Sequence, residues 1–115
     1  MLCTGFPYSV REERRRQVEV FSAFLGEAQA VRRLGSAALD LCYVASGRLD
    51  AFWEEHIHPW DIAAGALIIQ EAGGQVTGMD GSPFNAFAGH IIASNGRVHE
   101  SIVEVIRRAR QLSAP

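Results

Sequence analysis

A chain of 115 residues, 48% hydrophobic and 21% charged, has room for one globular domain with a real core. Its formal net charge of -2 lacks the basic footprint of a nucleic-acid binder, and no apolar run reaches the length of a membrane span, so neither nucleic acid nor a membrane is an expected partner. Two cysteines, Cys3 and Cys42, without metal-ligand or redox spacing, read as buried free thiols of a reducing cytoplasm.

In chain order, Leu2 to Thr4 reads as a short strand ended by Gly5 and Pro7, and Ser9-Val10-Arg11-Glu12 as a capping box. The helix that follows places Val18, Phe21, Leu25 and Ala28 on an apolar face, with Gly26 in its end region. The basic run Arg14-Arg15-Arg16 sits beside Glu12, Glu13 and Glu19 and reads as a solvated helix face. Ala30 to Arg33 forms a second short strand, Gly35 turns the chain, and Ser36 caps a second helix that ends at Gly47. That helix is apolar on most sides, which predicts heavy burial.

Leu49 to Glu54 is an aromatic-rich strand, followed by a helix from Trp60 to Ala72 closed by Gly73-Gly74. Gln75 to Thr77 and His90 to Ser94 are strands flanking a turn-rich stretch in which "MDGS" is a turn signature. A last helix from Arg97 to Gln111 faces inward with Val98, Ile102, Val105 or Ile106, and Ala109. The alternation predicts an α/β layered domain over 1–115, with helices packed on a sheet.

Chemistry concentrates around "HPWDIAAG". Pro59 places Asp61 in the first turn of a helix, where unpaired N–H groups and the dipole favour a carboxylate by about 0.3–1 kcal/mol. The small residues Ala63, Ala64, Gly65 and Ala66 let a ligand or another helix come close, and Trp60 reads as a buried apolar platform. Strand alternation sends Glu54 and Glu55 to opposite faces, one into the crevice of Asp61 and the other to solvent. Glu54, Gly35-Ser36 and Asp61 should converge outside strand ends near helix starts, where α/β sheets bind ligands. His56 and His58 form an H-x-H pair, but an extended loop would hold a metal only loosely, and His90 and His99 have no partner spacing.

The segments "LGSAALDLCYVASGRLDAFWE", "HPWDIAAGALIIQEAGGQVTGMDGSPF" and "HIIASN", with the opening "TGFPY", closely resemble the C-terminal half of the inositol monophosphatase family over nearly the whole chain. The resemblance implies a layered mixed sheet with packed helices and magnesium-dependent, lithium-sensitive hydrolysis of inositol monophosphates or related phosphomonoesters. It further implies that Asp61 ligates a catalytic Mg2+ and lies near the substrate, that Glu54 contacts substrate hydroxyls, and that Gly35, Ser36 and Ala37 line the pocket. Magnesium prefers oxygen ligands and keeps several waters, and a pair of such ions roughly 3.5–4 Å apart suits in-line displacement at phosphorus.

The same resemblance implies an N-terminal half that carries the other metal ligands. The family's D-P-[IL]-D-G-[ST] loop has no counterpart here, since no D-P-x-D occurs. The expectation is therefore a substrate-facing half with little or no activity alone, an apolar surface left bare, and a missing half as partner. A non-catalytic binding or assembly module derived from the family is the alternative. Family members commonly form homodimers, and "AVRRLGS" resembles a segment near that interface, so Arg32 and Arg33 are candidates for an interface, a pocket rim or simple solvated strand-end groups.

Overall fold

The structure, a computed structural model, describes residues 1–5 and 10–112, the side chains of 10–14 and 112 excepted. The expected capping box at Ser9 and Glu12, the turn at Pro7 and the side chain of Arg14 lie outside the described residues. Five strands and four helices follow one another as β1 (Leu2–Thr4), α1 (Val10–Glu27), β2 (Val31–Arg32), α2 (Ala37–Ala45), β3 (Ala51–Glu55), α3 (Pro59–Glu71), β4 (Gln75–Thr77), β5 (His90–Ser94) and α4 (His99–Leu112). A single 3-10 turn at Ala86–Ala88 precedes β5.

The strands form one mixed sheet in the order β2-β1-β3-β5-β4. Strand β1 runs parallel to both β2 and β3, whereas β5 runs antiparallel to β3 and β4. The crossover from β1 through α1 moves outward along the sheet, and those through α2 and α3 move back the other way. Crossovers between parallel strands keep a right-handed sense, so the reversal places α1 on one face and α2 and α3 on the other.

The packing shows that division. Leu41, Val44, Ile62, Ala66 and Ile69 from α2 and α3 join Phe52, Ile91 and Ala93 of the sheet in one cluster. Val20, Phe24, Ile102, Ile106 and Ala109 from α1 and α4 join Ala51, Trp53 and Ile92 in the other. Successive strand residues therefore serve opposite cores, as the pleat requires. Phe24 and Trp53 meet with ring centroids 4.2 Å apart.

Two glycines explain why the chain passes so closely here. A Cβ on Gly65 would stand 2.6 Å from Leu41 Cδ1, so α2 and α3 touch where α3 has no side chain. A Cβ on Gly74 would stand 2.5 Å from the Ser94 carbonyl oxygen, at the point where the chain leaves α3 and enters β4 beside β5.

Several sequence expectations are corrected. On α1 the buried residues are Gln17, Val20 and Phe24, while Val18 and Leu25 face outward, so the inward face is rotated by about one residue from the expected one. Gln17 goes inward because its amide donates to the buried Glu55 carboxylate at 3.1 Å, an attraction that hydropathy does not register. Helix α2 is buried only along Asp40, Leu41 and Val44, and Leu39 is exposed. The final helix keeps its expected face, with Ile102, Val105, Ile106 and Ala109 buried. Asp80 Oδ1 accepts from the Ser82 N–H at 3.0 Å, which makes "MDGS" a turn.

Candidate functional site

Three carboxylates gather at the ends of β3, α2 and α3 on the side of the sheet covered by α2 and α3. Asp61 occupies the first turn of α3, with Pro59 as the first helical residue and His58 as the cap. Its Oδ2 accepts from the His58 backbone N–H at 3.3 Å, so the side chain folds back on the helix start and is half-buried. Glu54 is the next residue on β3 after Trp53, on the same face as Phe52, and is also half-buried. Asp40, buried one turn into α2, completes the group. Its Oδ1 has no hydrogen-bond partner among the described residues.

Burial, then the charges of Asp40 and Asp61, push the Glu54 carboxyl up to about 7, and Arg33 opposes the shift. Burial also raises Asp40, against a hydrogen bond with the Cys3 thiol. The Cys3 thiol itself is pushed up to about 11, chiefly by burial, and so remains a protonated, unreactive group. Burial and mutual repulsion thus favour the protonated forms of Glu54 and Asp40, the neutral state that a low-dielectric site imposes on crowded carboxyls.

Gly5 makes room for this arrangement. The parallel register that pairs Thr4 with Trp53 brings residue 5 beside Glu54. The Thr4 hydroxyl donates to the Trp53 carbonyl at 2.8 Å and fixes the end of the ladder. A Cβ at Gly5 would lie 2.0 Å from Glu54 Oε1, so the carboxylate occupies the space that any larger residue would fill.

Of the residues expected from sequence, Glu54 and Asp61 are brought into electrostatic reach of one another. Gly35 turns the chain with φ +91, Ser36 caps α2 by accepting the Leu39 N–H at 3.4 Å, and Ala37 opens the helix. Asp40 lies one turn further on and joins this helix start to Glu54. Asp40 and Gly5 were not anticipated. An aspartate inside the apolar run "AALDLCYVA" was the available signal for the first, and nothing local announces the second. Arg33 is exposed, and its charge acts on Glu54.

Two expectations fail. Trp60 is 77% exposed rather than a buried platform, and its indole stacks on the His58 ring with centroids 4.4 Å apart. Glu55 is not solvated: it is buried against α1 and α4, where Gln17, Arg16 at 3.4 Å and Arg110 surround it. Among the described residues no three His, Cys, Asp or Glu side chains are placed to hold a metal ion, the H-x-H pair included.

The sequence model of the inositol monophosphatase family matches residues 1–111. The chain belongs to that family. It is 43% identical over 111 residues to "Phosphatase IMPL1, chloroplastic" of Arabidopsis thaliana, covering 96% of this chain and 30% of that protein. It is 41% identical over 109 residues to "Nus factor SuhB" of Pseudomonas aeruginosa, covering 93% and 40% respectively. The solved inositol monophosphatase from Anabaena superposes with a TM-score of 0.89 at 43% identity, over 93% of this chain and 44% of that one. The chain therefore spans less than half the length of these relatives, and its five-stranded mixed sheet with four helices corresponds to part of the family fold.

Proposed function

We propose that this chain supplies the substrate-facing part of a magnesium-dependent phosphomonoesterase acting on inositol monophosphate or a related sugar phosphate. The observation that carries the reading is the meeting of Asp61, Glu54 and Asp40 at two helix starts, in a chain whose family includes a solved inositol monophosphatase. The donors are hard oxygens, which suits magnesium, but no complete ligand set exists among the described residues. Asp61 fits as one contributor, and the rest would come from the part of the family fold that this chain does not span. When bound, magnesium supplies Lewis-acid stabilisation of the phosphoryl oxygens.

The chain's own residues bind and orient. The α2 start at Gly35, Ser36 and Ala37 offers backbone N–H groups and the positive end of a helix to an anionic or hydroxyl oxygen. Glu54, protonated over part of the neutral range, can donate to a substrate hydroxyl as well as accept from one. Asp61 holds its carboxylate at a fixed place because the His58 N–H anchors one oxygen. Alone, the chain should be catalytically silent. A cytoplasmic setting and a homodimer belong to the same reading.

The test is phosphate release from inositol 1-phosphate with magnesium, using the chain alone and the chain co-expressed with the N-terminal segment of a family member. We expect release only with the added segment, reduced roughly 10²-fold or more by Asp61→Asn. A complemented protein that releases no phosphate would favour the second reading, a binding or assembly module. That reading draws support from the relative named as a Nus factor.

A further inference from the structure

The corner that joins β5 to α4 reads Ser94-Asn95-Gly96-Arg97. Asn95 donates its backbone N–H to the Asp50 carbonyl at 3.0 Å and its side-chain Nδ2 to Asp50 Oδ1 at 3.3 Å, which ties the end of β5 to the start of β3. Its Oδ1 accepts the Arg97 N–H at 2.9 Å. The Gly96 N–H goes to Ser94 Oγ at 3.0 Å, while the proton of that hydroxyl goes to His99 Nδ1. Residue 96 has φ +86, a conformation that favours glycine. The corner therefore calls for an amide side chain followed by a residue without a Cβ, the pair that least shields an asparagine from the next backbone nitrogen. Asn85, the chain's other asparagine, accepts the Phe87 N–H at 2.9 Å in the same manner, but alanine follows it.

We propose that Asn95 is a site of spontaneous deamidation that the folded corner holds in check, and that its products cannot rebuild that corner. In the reaction the Gly96 nitrogen gives its proton to solvent base and attacks Asn95 Cγ. The Cγ–Nδ2 bond breaks, ammonia leaves, and a cyclic imide remains. Water then opens the imide at either carbonyl, giving aspartate, or isoaspartate with the main chain running through the former side chain.

The folded corner opposes the first step at both reacting groups. Its nucleophile is engaged by Ser94, and the two ends of the side-chain amide are held by Arg97 and Asp50. Cγ cannot swing onto Gly96 while these bonds persist, so the chemistry waits on local opening. Gly96 is exposed and Asn95 half-buried, so water and base reach the corner once it opens. The products then oppose closure. Aspartate turns a donor aimed at Asp50 into a second negative charge, and Asp50 already faces the Met1 ammonium with its other oxygen. Isoaspartate lengthens the main chain between Ser94, which is paired with Ala51 and Gln75, and His99, whose ring is bound to Ser94. An opening that lasts long enough for the chemistry is thereby made permanent.

The experiment ages the 115-residue chain at pH 8 in buffer and in guanidinium chloride, and quantifies ammonia loss at both asparagines by peptide mass spectrometry. In denaturant Asn95 should react roughly tenfold or more faster than Asn85, and in buffer roughly tenfold or more slower than in denaturant. After the aged sample is refolded, chains modified at position 95 should be depleted from the native monomer. Asn95→Asp should lower the melting temperature, and adding Asp50→Asn should recover it, because the swap again faces one amide with one carboxylate.

Equal rates at Asn95 in buffer and denaturant, an unfolded rate no greater than that of Asn85, or full refolding of modified chains would overturn the proposal. So would an Asn95→Asp chain as stable as the parent, or one that Asp50→Asn does not rescue. Should Asn95→Asp fail to fold, the refolding of aged parent chains decides the matter without any substitution.

Discussion

At the scale of single residues, Glu54 is where burial and charge pull against each other. Its carboxyl is held up to about 7, against an ordinary 4.5, because it is buried beside Asp40 and Asp61. Between pH 4.5 and 7 the unfolded chain gives up this proton while the folded one retains it, so the contribution of Glu54 to stability falls as pH rises through that window. Glu54→Gln should therefore raise the melting temperature at pH 8 relative to the parent and leave it nearly unchanged at pH 4.5. Thermal denaturation at the two pH values checks this, and an equal gain at both would mean that charge is not the cause. The sequence placed Glu54 and Asp61 together because a strand end and a helix start are both legible from pattern. It could not reveal Asp40 or Gly5, since one acts through burial on a helix and the other by leaving space for Glu54, which depends on strand register across 49 residues.

At the scale of elements, close approach between backbones decides more than hydropathy does. Gly65→Ala would drive a methyl into Leu41, whose Cβ and Cδ1 are the atoms it meets, in a core with no slack. Overpacking of this kind should cost about 1–3 kcal/mol, measurable by denaturant unfolding. A loss well under 1 kcal/mol would show that α2 and α3 can slide apart. The strands β4 and β5 matched their expected limits because short runs bounded by turn residues fix themselves. Helix α1 did not match in rotation, because its inward face is chosen by the pairing of Gln17 and Arg16 with Glu55 as much as by Val20 and Phe24. Trp60 was misjudged because an apolar neighbourhood in sequence does not say which way the first turn of a helix points its ring; here it lies outward on His58.

For the molecule as a whole, pH stability is a contest between two sites on opposite sides of the sheet. His99 is buried, and burial lowers its pKa from 6.5. The Thr77 hydroxyl donates to the Gly78 carbonyl at 2.9 Å and so accepts from His99 Nε2 at 2.8 Å, and the Ser94 hydroxyl donates to Nδ1 at 2.8 Å. A proton on Nδ1 would break this chain of bonds. Below about pH 6.5 the unfolded chain takes up a proton that the fold resists, so this contribution is complete above 6.5 and is lost on acidification. It slopes opposite to that of Glu54 and flattens the profile. His99→Leu should remove the acid-side slope while costing about 1–3 kcal/mol at pH 7.5 by leaving two buried hydroxyls short of a partner. Parallel pH titrations of stability for the parent and the variant check both parts.

The strand order also governs how the sheet can be assembled during folding. Strand β1 lies between β2 and β3, and among the described residues β4 joins the sheet through β5, which follows it in sequence. The sheet cannot close until residues 90–94 lie between β3 and β4, which share no edge of their own. Until that moment the apolar helix α3 has no completed surface to lie on. Closure of the sheet thus turns on the insertion of a single five-residue strand, a non-local pairing of the kind that slows folding.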